Sequence, residues 1–429
     1  MVRLRRHTTR KNSCFVNPPH TRMRPRSQTK FCHTRSVSAV VALCLAVSST
    51  AATASLAAAQ SAPAAPPLFA NSAATFTGSA GFGSSVSLSA DGQAAIVGNG
   101  AARVANVYAE TKGRWPTAPE ATFSHKKEAY YAGNDSVSTA LSGNGQVALM
   151  SVVAANAVYV YHRAGSGWES AALPIPNGAN ISGPVALSAN GRLALVAATK
   201  GAAMDNVGYV YSETSAWRPV LVATLTADPP TTNESVALSA NGQVAAVGNG
   251  YGPVYLYREV GGIWHLNPVA ALATGADEHA LGTVSVALSA DGQEALIGIA
   301  HLRTGSAILY SDDAGVWHRV ANLGLKEANF SMKVKGFPTP VTTPVDLVSP
   351  NGSVALSADG DAALVGEDGG TLFYRYQDGA WHLAGAIPLG DVSLSLSGNG
   401  DVALLGSFYA NAANTKGAAY IYNLNGTGS

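Results

Sequence analysis

Residues 235–242 read SVALSANG, residues 353–360 read SVALSADG, and this repeated phrase decides the fold. Each copy is a short uncharged run that ends in Asn-Gly or Asp-Gly. A short apolar run bounded by turn residues is typical of a strand buried on both faces. Asp and Asn tolerate turn geometry, and Gly adopts the positive φ that a tight hairpin requires. A second apolar run follows at once, so the phrase predicts a strand, a hairpin and a second strand.

The phrase occurs seven times, in full or in part. Its turn glycines are spaced by 53, 46, 51, 50, 68 and 40 residues, and they are Gly92, Gly145, Gly191, Gly242, Gly292, Gly360 and Gly400. A recurrence near 50 residues indicates a propeller or a solenoid. The seven copies therefore predict seven structural units.

Two aromatic signals recur in phase with the phrase. Alternating Tyr and Val, as at residues 158–161 and 209–211, favours a third strand. A turn and a Trp then open a fourth apolar stretch, and all six tryptophans of the chain occupy this position: Trp115, Trp168, Trp217, Trp264, Trp317 and Trp381. Four strands in a repeat of this length are typical of a propeller blade.

The two ends of the repeat region predict how the ring closes. The seventh repeat stops without a Trp or a fourth strand, while residues 68–78 resemble an unpaired fourth strand. Pairing them would leave no open edge between the first and last blades. We predict an all-β, seven-bladed propeller of four-stranded antiparallel blades, closed by an N-terminal strand that completes the last blade. The expected blade cores are residues 82–124, 135–176, 182–226, 234–273, 284–324, 352–388 and 392–424 plus 68–78.

Residues 1–54 differ in character from the repeats. They contain ten basic residues and no acid, then an apolar run of 11 residues at 37–47 and small-residue sites near 54 and 59. This order predicts a secretory signal peptide, cleaved at 54/55 or 59/60. We expect a secreted or periplasmic protein with a linker at 55–67, a proline-containing loop insertion at 327–350 and a tail at 425–429. Cys14, Cys32 and Cys44 all precede the cleavage site, so we expect no disulfide in the mature chain.

Charge and hydropathy restrict the partners. Without the ten basic residues of 1–54, 17 basic residues remain against 26 acidic ones, a net charge of −9. An acidic protein is a poor partner for nucleic acid. No later run is long enough for a transmembrane helix, so we expect no stable membrane insertion after cleavage. We expect a monomer.

The blade pattern resembles the FG-GAP repeat of integrin α-chain propellers and their bacterial relatives. Phe82-Gly83 precedes the first buried strand, Val-Gly closes several second strands, and the Tyr-Val-Tyr strand follows. The resemblance covers about residues 68–424 and implies a binding or adhesion function. The family's calcium loops need alternating Asp or Asn oxygens, and the nearest segments, 312–315 and 367–370, lack that alternation. We therefore predict no metal and no cofactor.

The material that does not repeat lies in the connections opposite the hairpins, and function concentrates in such loops. We predict a ligand face there for a protein or glycan partner, and its candidate residues are Tyr130, Tyr131, Tyr251, Asp277, His279, His301, Arg303 and Tyr409. One alternative is a lectin with repeated sugar sites between blades. Another is a hydrolase or lyase at the central mouth. No catalytic motif is found, so we predict no enzyme. His265, His318 and His382 each follow a blade Trp and are interpreted as part of the repeat.

Overall fold

The computed structural model describes residues 67–125, 136–201, 205–213, 218–227, 235–248, 252–273, 284–299, 306–324, 353–367, 370–390, 393–408 and 416–425. All of them fall within one compact unit, Pro63–Ser429. The predicted signal peptide, nearly all of the linker and the insertion at 327–350 lie outside the described residues. In the described part, no helix is both long and apolar enough to span a bilayer.

The predicted fold is confirmed: the strands form seven antiparallel sheets, one for each repeat. The N-terminal strand is β1 (Ala74–Ser79). Blade 1 contains β2 (Phe82–Leu88), β3 (Ala94–Asn99), β4 (Val104–Ala109) and β5 (Ala121–Ser124). Blade 2 contains β6 (Val137–Leu141), β7 (Val147–Val152), β8 (Ala157–Ala164) and β9 (Gly167–Ala172), with one turn of 3₁₀ helix (Val153–Ala155) between β7 and β8. Blade 3 contains β10 (Ala179–Leu187), β11 (Leu193–Lys200), β12 (Asp205–Glu213) and β13 (Pro219–Ala227).

The remaining blades follow the same order. Blade 4 contains β14 (Ser235–Leu238), β15 (Val244–Gly248), β16 (Val254–Val260), β17 (Ile263–Trp264) and β18 (Ala270–Leu272). Blade 5 contains β19 (Val284–Leu288), β20 (Glu294–Ile299), β21 (Ser306–Asp313) and β22 (Val316–Leu323). Blade 6 contains β23 (Val354–Leu356), β24 (Ala362–Glu367), β25 (Gly370–Gln377) and β26 (Ala380–Ile387). Blade 7 contains β27 (Ser393–Leu396), β28 (Val402–Ser407) and β29 (Lys416–Asn423), and β1 completes it.

The first strands of the blades form the innermost ring. Each contacts the first strand of the next blade, in the order β2, β6, β10, β14, β19, β23, β27 and back to β2. These strands consist of small, hydroxyl-bearing and apolar residues. Within the bounds given above, none of them carries a titratable side chain. Serine side chains connect neighbours across the ring: Ser87 accepts from the Leu141 amide at 3.0 Å and Ser395 accepts from the Leu88 amide at 2.9 Å.

The seven hairpins between first and second strands share one hydrogen-bond pattern. A buried serine donates to the side chain of the Asp or Asn two residues later. The same hydroxyl accepts from the first amide of the second strand, and this second bond is 2.8–3.0 Å long. These serines are Ser89, Ser142, Ser188, Ser239, Ser289, Ser357 and Ser397. All seven turn glycines have φ between +67° and +79°, which confirms the predicted left-handed turn position. Backbone hydrogen bonds join neighbouring hairpins, and the one from the Gly398 amide to the Ala90 carbonyl, 2.8 Å, spans the closure.

The closure uses the Phe-Gly pair. Phe82 is 2% exposed and packs against the last blade. Gly83 has φ of +85°, and a Cβ there would overlap the carbonyl oxygen of Ala418 in β29. Ser393 of blade 7 donates to the Gly83 carbonyl at 2.9 Å. The pair is thus required where the first blade meets the last.

Three details differ from the sequence prediction. Residues 68–78 do not form one strand, because the Leu68 segment bridges to Ala386 of blade 6 and pairing with β29 begins only at Ala74. Trp115 precedes β5 by six residues, since Pro116 and Pro119 have no amide hydrogen for the sheet. The fourth strand of blade 4 is divided into β17 and β18 around a segment that contains Pro268.

Candidate functional sites between blades

In each blade, one tyrosine of the third strand packs against the preceding blade. These seven latch tyrosines are between 0% and 9% exposed, and they are Tyr108, Tyr161, Tyr211, Tyr257, Tyr310, Tyr374 and Tyr422. Tyr211 donates to the Pro174 carbonyl at 2.9 Å and Tyr310 to the Ala273 carbonyl at 2.6 Å. The Tyr374 hydroxyl instead accepts from the Gly324 amide at 3.1 Å. Burial raises the pKa of Tyr161, Tyr257 and Tyr422 to about 12, so these side chains stay neutral and structural.

Beside Tyr161 and Tyr374 the described residues of the interface form a cleft. The 1/2 cleft, between blades 1 and 2, has a volume of about 670 Å³, and its lining includes Glu120, Thr122, Phe123, Tyr159 and Trp168. The 5/6 cleft, between blades 5 and 6, has a volume of about 580 Å³. Its lining includes Glu294, Ser311, Asn322, Leu323, Asp361, Tyr374, Tyr376 and Trp381. Both volumes are within the usual range for small-ligand sites.

The two clefts have the same construction. Their floors are formed by equivalent buried residues of the fourth strand, Phe123 in one and Leu323 in the other. Phe123 stacks on the latch Tyr161 with ring centroids 3.8 Å apart and meets Trp168 edge-on at 5.3 Å. In the 5/6 cleft Trp381 and Tyr376 have ring centroids 5.8 Å apart. An aromatic wall therefore faces the solvent in each cleft, with polar side chains on the opposite blade.

The charge of the two clefts differs. In the 1/2 cleft Arg163 forms an ion pair with Glu120 and its guanidinium lies 5.4 Å from the centre of the Trp168 ring. Trp168 Nε1 is buried and has no hydrogen-bond partner among the described residues. In the 5/6 cleft the residue equivalent to Arg163 is Tyr376, because both are the cross-strand partner of the blade Trp. There the carboxylates of Glu294 and Asp361 supply negative charge.

Glu294 breaks the repeat at a buried contact. The first residue of the second strand packs against the hairpin glycine of the following blade, and in the other six blades it is apolar: Ala94, Val147, Leu193, Val244, Ala362 and Val402. In blade 5 it is Glu294, whose Oε2 is buried against Gly360 with no hydrogen-bond partner among the described residues. Desolvation, then the charges of Asp361, Asp291 and Asp359, raise the Glu294 pKa to about 7.

The described residues between blades 2 and 3 enclose a smaller space. It is about 20 Å³ and is lined mainly by apolar groups such as Val160 and Leu173. Such a space holds about one water molecule. The size of the space between neighbouring blades therefore depends on the side chains that line it.

The residues predicted from sequence for the ligand face all lie outside the described residues: Tyr130, Tyr131, Tyr251, Asp277, His279, His301, Arg303 and Tyr409. His318 and His382 are exposed on the fourth strands of their blades, and His265 is exposed directly after β17. Asp312, in the segment nearest to a calcium loop, accepts from Arg258 at 2.7 Å and from the Gly315 amide at 2.7 Å, which is a structural role. Among the described residues, no three His, Cys, Asp or Glu side chains are grouped to hold a metal ion.

Glu294 was not among the residues that the sequence analysis selected. Its signal is in the sequence, as the single charged residue at an aligned position that is apolar in the other six repeats. The clefts themselves leave no such signal, because they depend on the distance between neighbouring blades.

Comparison with known proteins supports the fold. No family model matches the chain, and no curated protein matches it. Among solved structures, the chain is similar to hydrazine synthase of Kuenenia stuttgartiensis, with a TM-score of 0.53 and 12% sequence identity. The match covers 81% of this chain and 97% of that chain. At this identity the similarity shows a common propeller fold and no common activity.

Proposed function

We propose that this propeller is an exported binding scaffold whose ligand is a glycan, held in the clefts between blades. The observation that carries the proposal is the pair of equivalent clefts, each combining aromatic faces with polar groups from the opposite blade. Ligand sites typically combine apolar and aromatic walls with a few placed polar groups.

A binding function agrees better with the described interior than a reaction at the central mouth. A hydrolase or lyase there needs titratable groups that converge from several blades. The described first strands, which surround the axis, offer hydroxyl and apolar groups instead. Export is proposed from residues 1–54. Kinship with FG-GAP proteins is proposed from the blade pattern and from the role of Phe82-Gly83 at the ring closure.

A second candidate site is the loop face, for a protein or a glycan partner. The observation that favours it is the contrast between the two ends of the strands. At one end the same serine-anchored hairpin occurs seven times. At the other end the connections differ in length and sequence, and they contain the eight candidate residues given above.

The test is a glycan array with residues 60–429, followed by calorimetric titration of the hits. Trp168→Ala and Trp381→Ala each remove an aromatic wall, and each is expected to weaken binding by about tenfold or more. The matched control is Trp115→Ala, because Trp115 packs edge-on against Phe76 and lines neither cleft. If both cleft variants bind as well as the parent, while Tyr131→Ala, His279→Ala or Arg303→Ala abolishes binding, the loop face is the site.

A further inference from the structure

The 1/2 cleft shows how this scaffold holds a cation. Arg163 is placed between the Glu120 carboxylate and the face of Trp168. Attraction to a carboxylate and to an indole face together stabilise a partly desolvated cation. In this cleft the chain supplies the cation itself.

The 5/6 cleft keeps the indole, has a tyrosine at the position of the arginine, and receives its carboxylates from other positions of the repeat. Trp381 is the equivalent of Trp168, and Tyr376 stands where blade 2 has Arg163. Glu294 and Asp361 line the cleft from two different blades. Among the described residues, the charged groups that act on Glu294 are Asp361, Asp291 and Asp359, and all three are acids. The described part of the cleft is therefore complementary to a cation.

Glu294 also carries a cost in stability. It occupies a contact with the next hairpin that six other blades fill with an apolar side chain, and one of its oxygens is buried without a partner. A buried carboxylate without a partner destabilises a fold. Departures of this kind from a consistent repeat are typical of functional positions.

The remaining lining restricts the cation to one attached to a larger ligand. The volume of about 580 Å³ exceeds what a bare ion fills, and Tyr376, 44% exposed, presents an aromatic face beside Trp381. Ser311 and Asn322 add neutral hydrogen-bonding groups. Aromatic faces for C–H groups, neutral groups for hydroxyls and carboxylates for a cation together describe an aminated sugar.

We propose that the 5/6 cleft binds a saccharide that carries a free ammonium group, with Glu294 and Asp361 as its anionic partners and Trp381 and Tyr376 as its apolar wall. This inference rests on the proposed glycan-binding function and assigns the ligand class of one of its clefts. The 1/2 cleft, whose Glu120 carboxylate is already paired with Arg163, takes neutral saccharides.

The test is calorimetric titration with two probes, a glucosamine tetramer and an N-acetylglucosamine tetramer, which differ in the charge of the amino group. Glu294→Gln keeps the side-chain size and removes the charge, and it is expected to weaken glucosamine-tetramer binding about tenfold. Glu110→Gln, the same change at a carboxylate that lines neither cleft, serves as the control and is expected to leave that affinity unchanged. Circular dichroism verifies that both variants are folded.

Three outcomes overturn the inference in different ways. Equal binding of the two tetramers with no effect of Glu294→Gln excludes the ammonium site, while a loss in Trp381→Ala in the same experiment would keep the proposed function. Absence of binding by either tetramer removes both proposals for these sugars. A lysine tetrapeptide that binds as tightly as the glucosamine tetramer, and also depends on Glu294, shows an ammonium site without saccharide selectivity.

Discussion

The 1/2 cleft and the 5/6 cleft occupy the same place in the repeat, and they differ in charge. In the first, Arg163 and Glu120 form a pair over Trp168. In the second, Tyr376 and Val320 stand at those two positions, while Glu294 and Asp361 bring carboxylates. The repeat thus places an equivalent cleft at both interfaces, while single substitutions change its charge. Four measurements test this comparison, beginning with the shared framework.

The largest expected effect comes from the floors of the two clefts. Phe123 and Leu323 are 5% and 3% exposed, so truncation leaves a cavity in the interface. Phe123→Ala is expected to lower the free energy of unfolding by about 3–5 kcal/mol, and Leu323→Ala by about 2–5 kcal/mol. Urea unfolding followed by circular dichroism measures both. A loss under about 1 kcal/mol for Phe123→Ala would mean that the Phe123–Tyr161–Trp168 stack is not part of the core.

The second effect concerns Glu294 and has a defined pH dependence. Its pKa in the folded protein is raised to about 7 from 4.5. The folded state therefore binds a proton more tightly than the unfolded state, and stability is lost as pH rises from about 4.5 through about 7. Because Glu294 is partly solvated, we discount the full shift to about 1–2 kcal/mol.

Glu294→Val restores the apolar residue type of the other blades, so it is expected to stabilise the protein by that 1–2 kcal/mol at pH 8 and by much less at pH 4.5. Thermal or urea unfolding at the two pH values measures the difference. Glu120→Val is the control, because it removes a carboxylate that has Arg163 as a partner and should stabilise at neither pH. Destabilisation by Glu294→Val at pH 8 would show that the carboxylate has a favourable partner in the native state.

The third effect distinguishes two tyrosines that line the same cleft. Tyr374 is 7% exposed and accepts from the Gly324 amide at 3.1 Å, whereas Tyr376 is 44% exposed. Tyr374→Phe leaves that amide without its acceptor and is expected to cost about 1 kcal/mol in the free energy of unfolding. Tyr376→Phe should change it by less than about 0.5 kcal/mol. Equal costs in the two variants would contradict the assignment of Tyr374 as a latch.

Most of the fold could be predicted because its determinants are local. The turn glycines and the Asx residues before them specify the hairpins within eight residues, and the 50-residue period specifies the ring. The errors arose where a tertiary contact or a proline competed with the pattern. Leu68 pairs with Ala386 of blade 6 rather than with blade 7, and the segment around Pro268 interrupts the fourth strand of blade 4.

The candidate sites were less predictable for a physical reason. A cleft between blades is a gap between residues that are far apart in sequence, such as Glu294 and Tyr376, and periodicity does not encode its width. The recurring Tyr and Trp were recognised as strand markers, but their role in lining a cleft depends on how neighbouring sheets pack. Glu294 could have been found from the sequence, since an alignment of the seven hairpins shows it as the one charged residue at the first position of the second strand.

The smallest effect is the influence of salt on the free energy of unfolding of a variant in each cleft. The two variants are expected to change in opposite directions. Arg163 and Glu120 are both partly exposed, so Glu120→Gln is expected to cost only about 0.2–1 kcal/mol at low ionic strength. Screening shortens the reach of charges from about 10 Å at 0.1 M to about 3 Å at 1 M salt, which should reduce that cost. In the 5/6 cleft the same screening weakens the repulsion around Glu294. The stabilisation by Glu294→Val at pH 8 should therefore shrink, whereas in the 1/2 cleft it is a destabilisation that shrinks. Unfolding of both variants and the parent in sodium chloride at the two concentrations measures these differences.

Convergence of the two variants on the parent at 1 M salt is expected if charge alone distinguishes the clefts. A gain from Glu294→Val that persists unchanged in high salt would instead assign it to the removal of a desolvated carboxylate and to the packing of valine against Gly360, since salt screens neither.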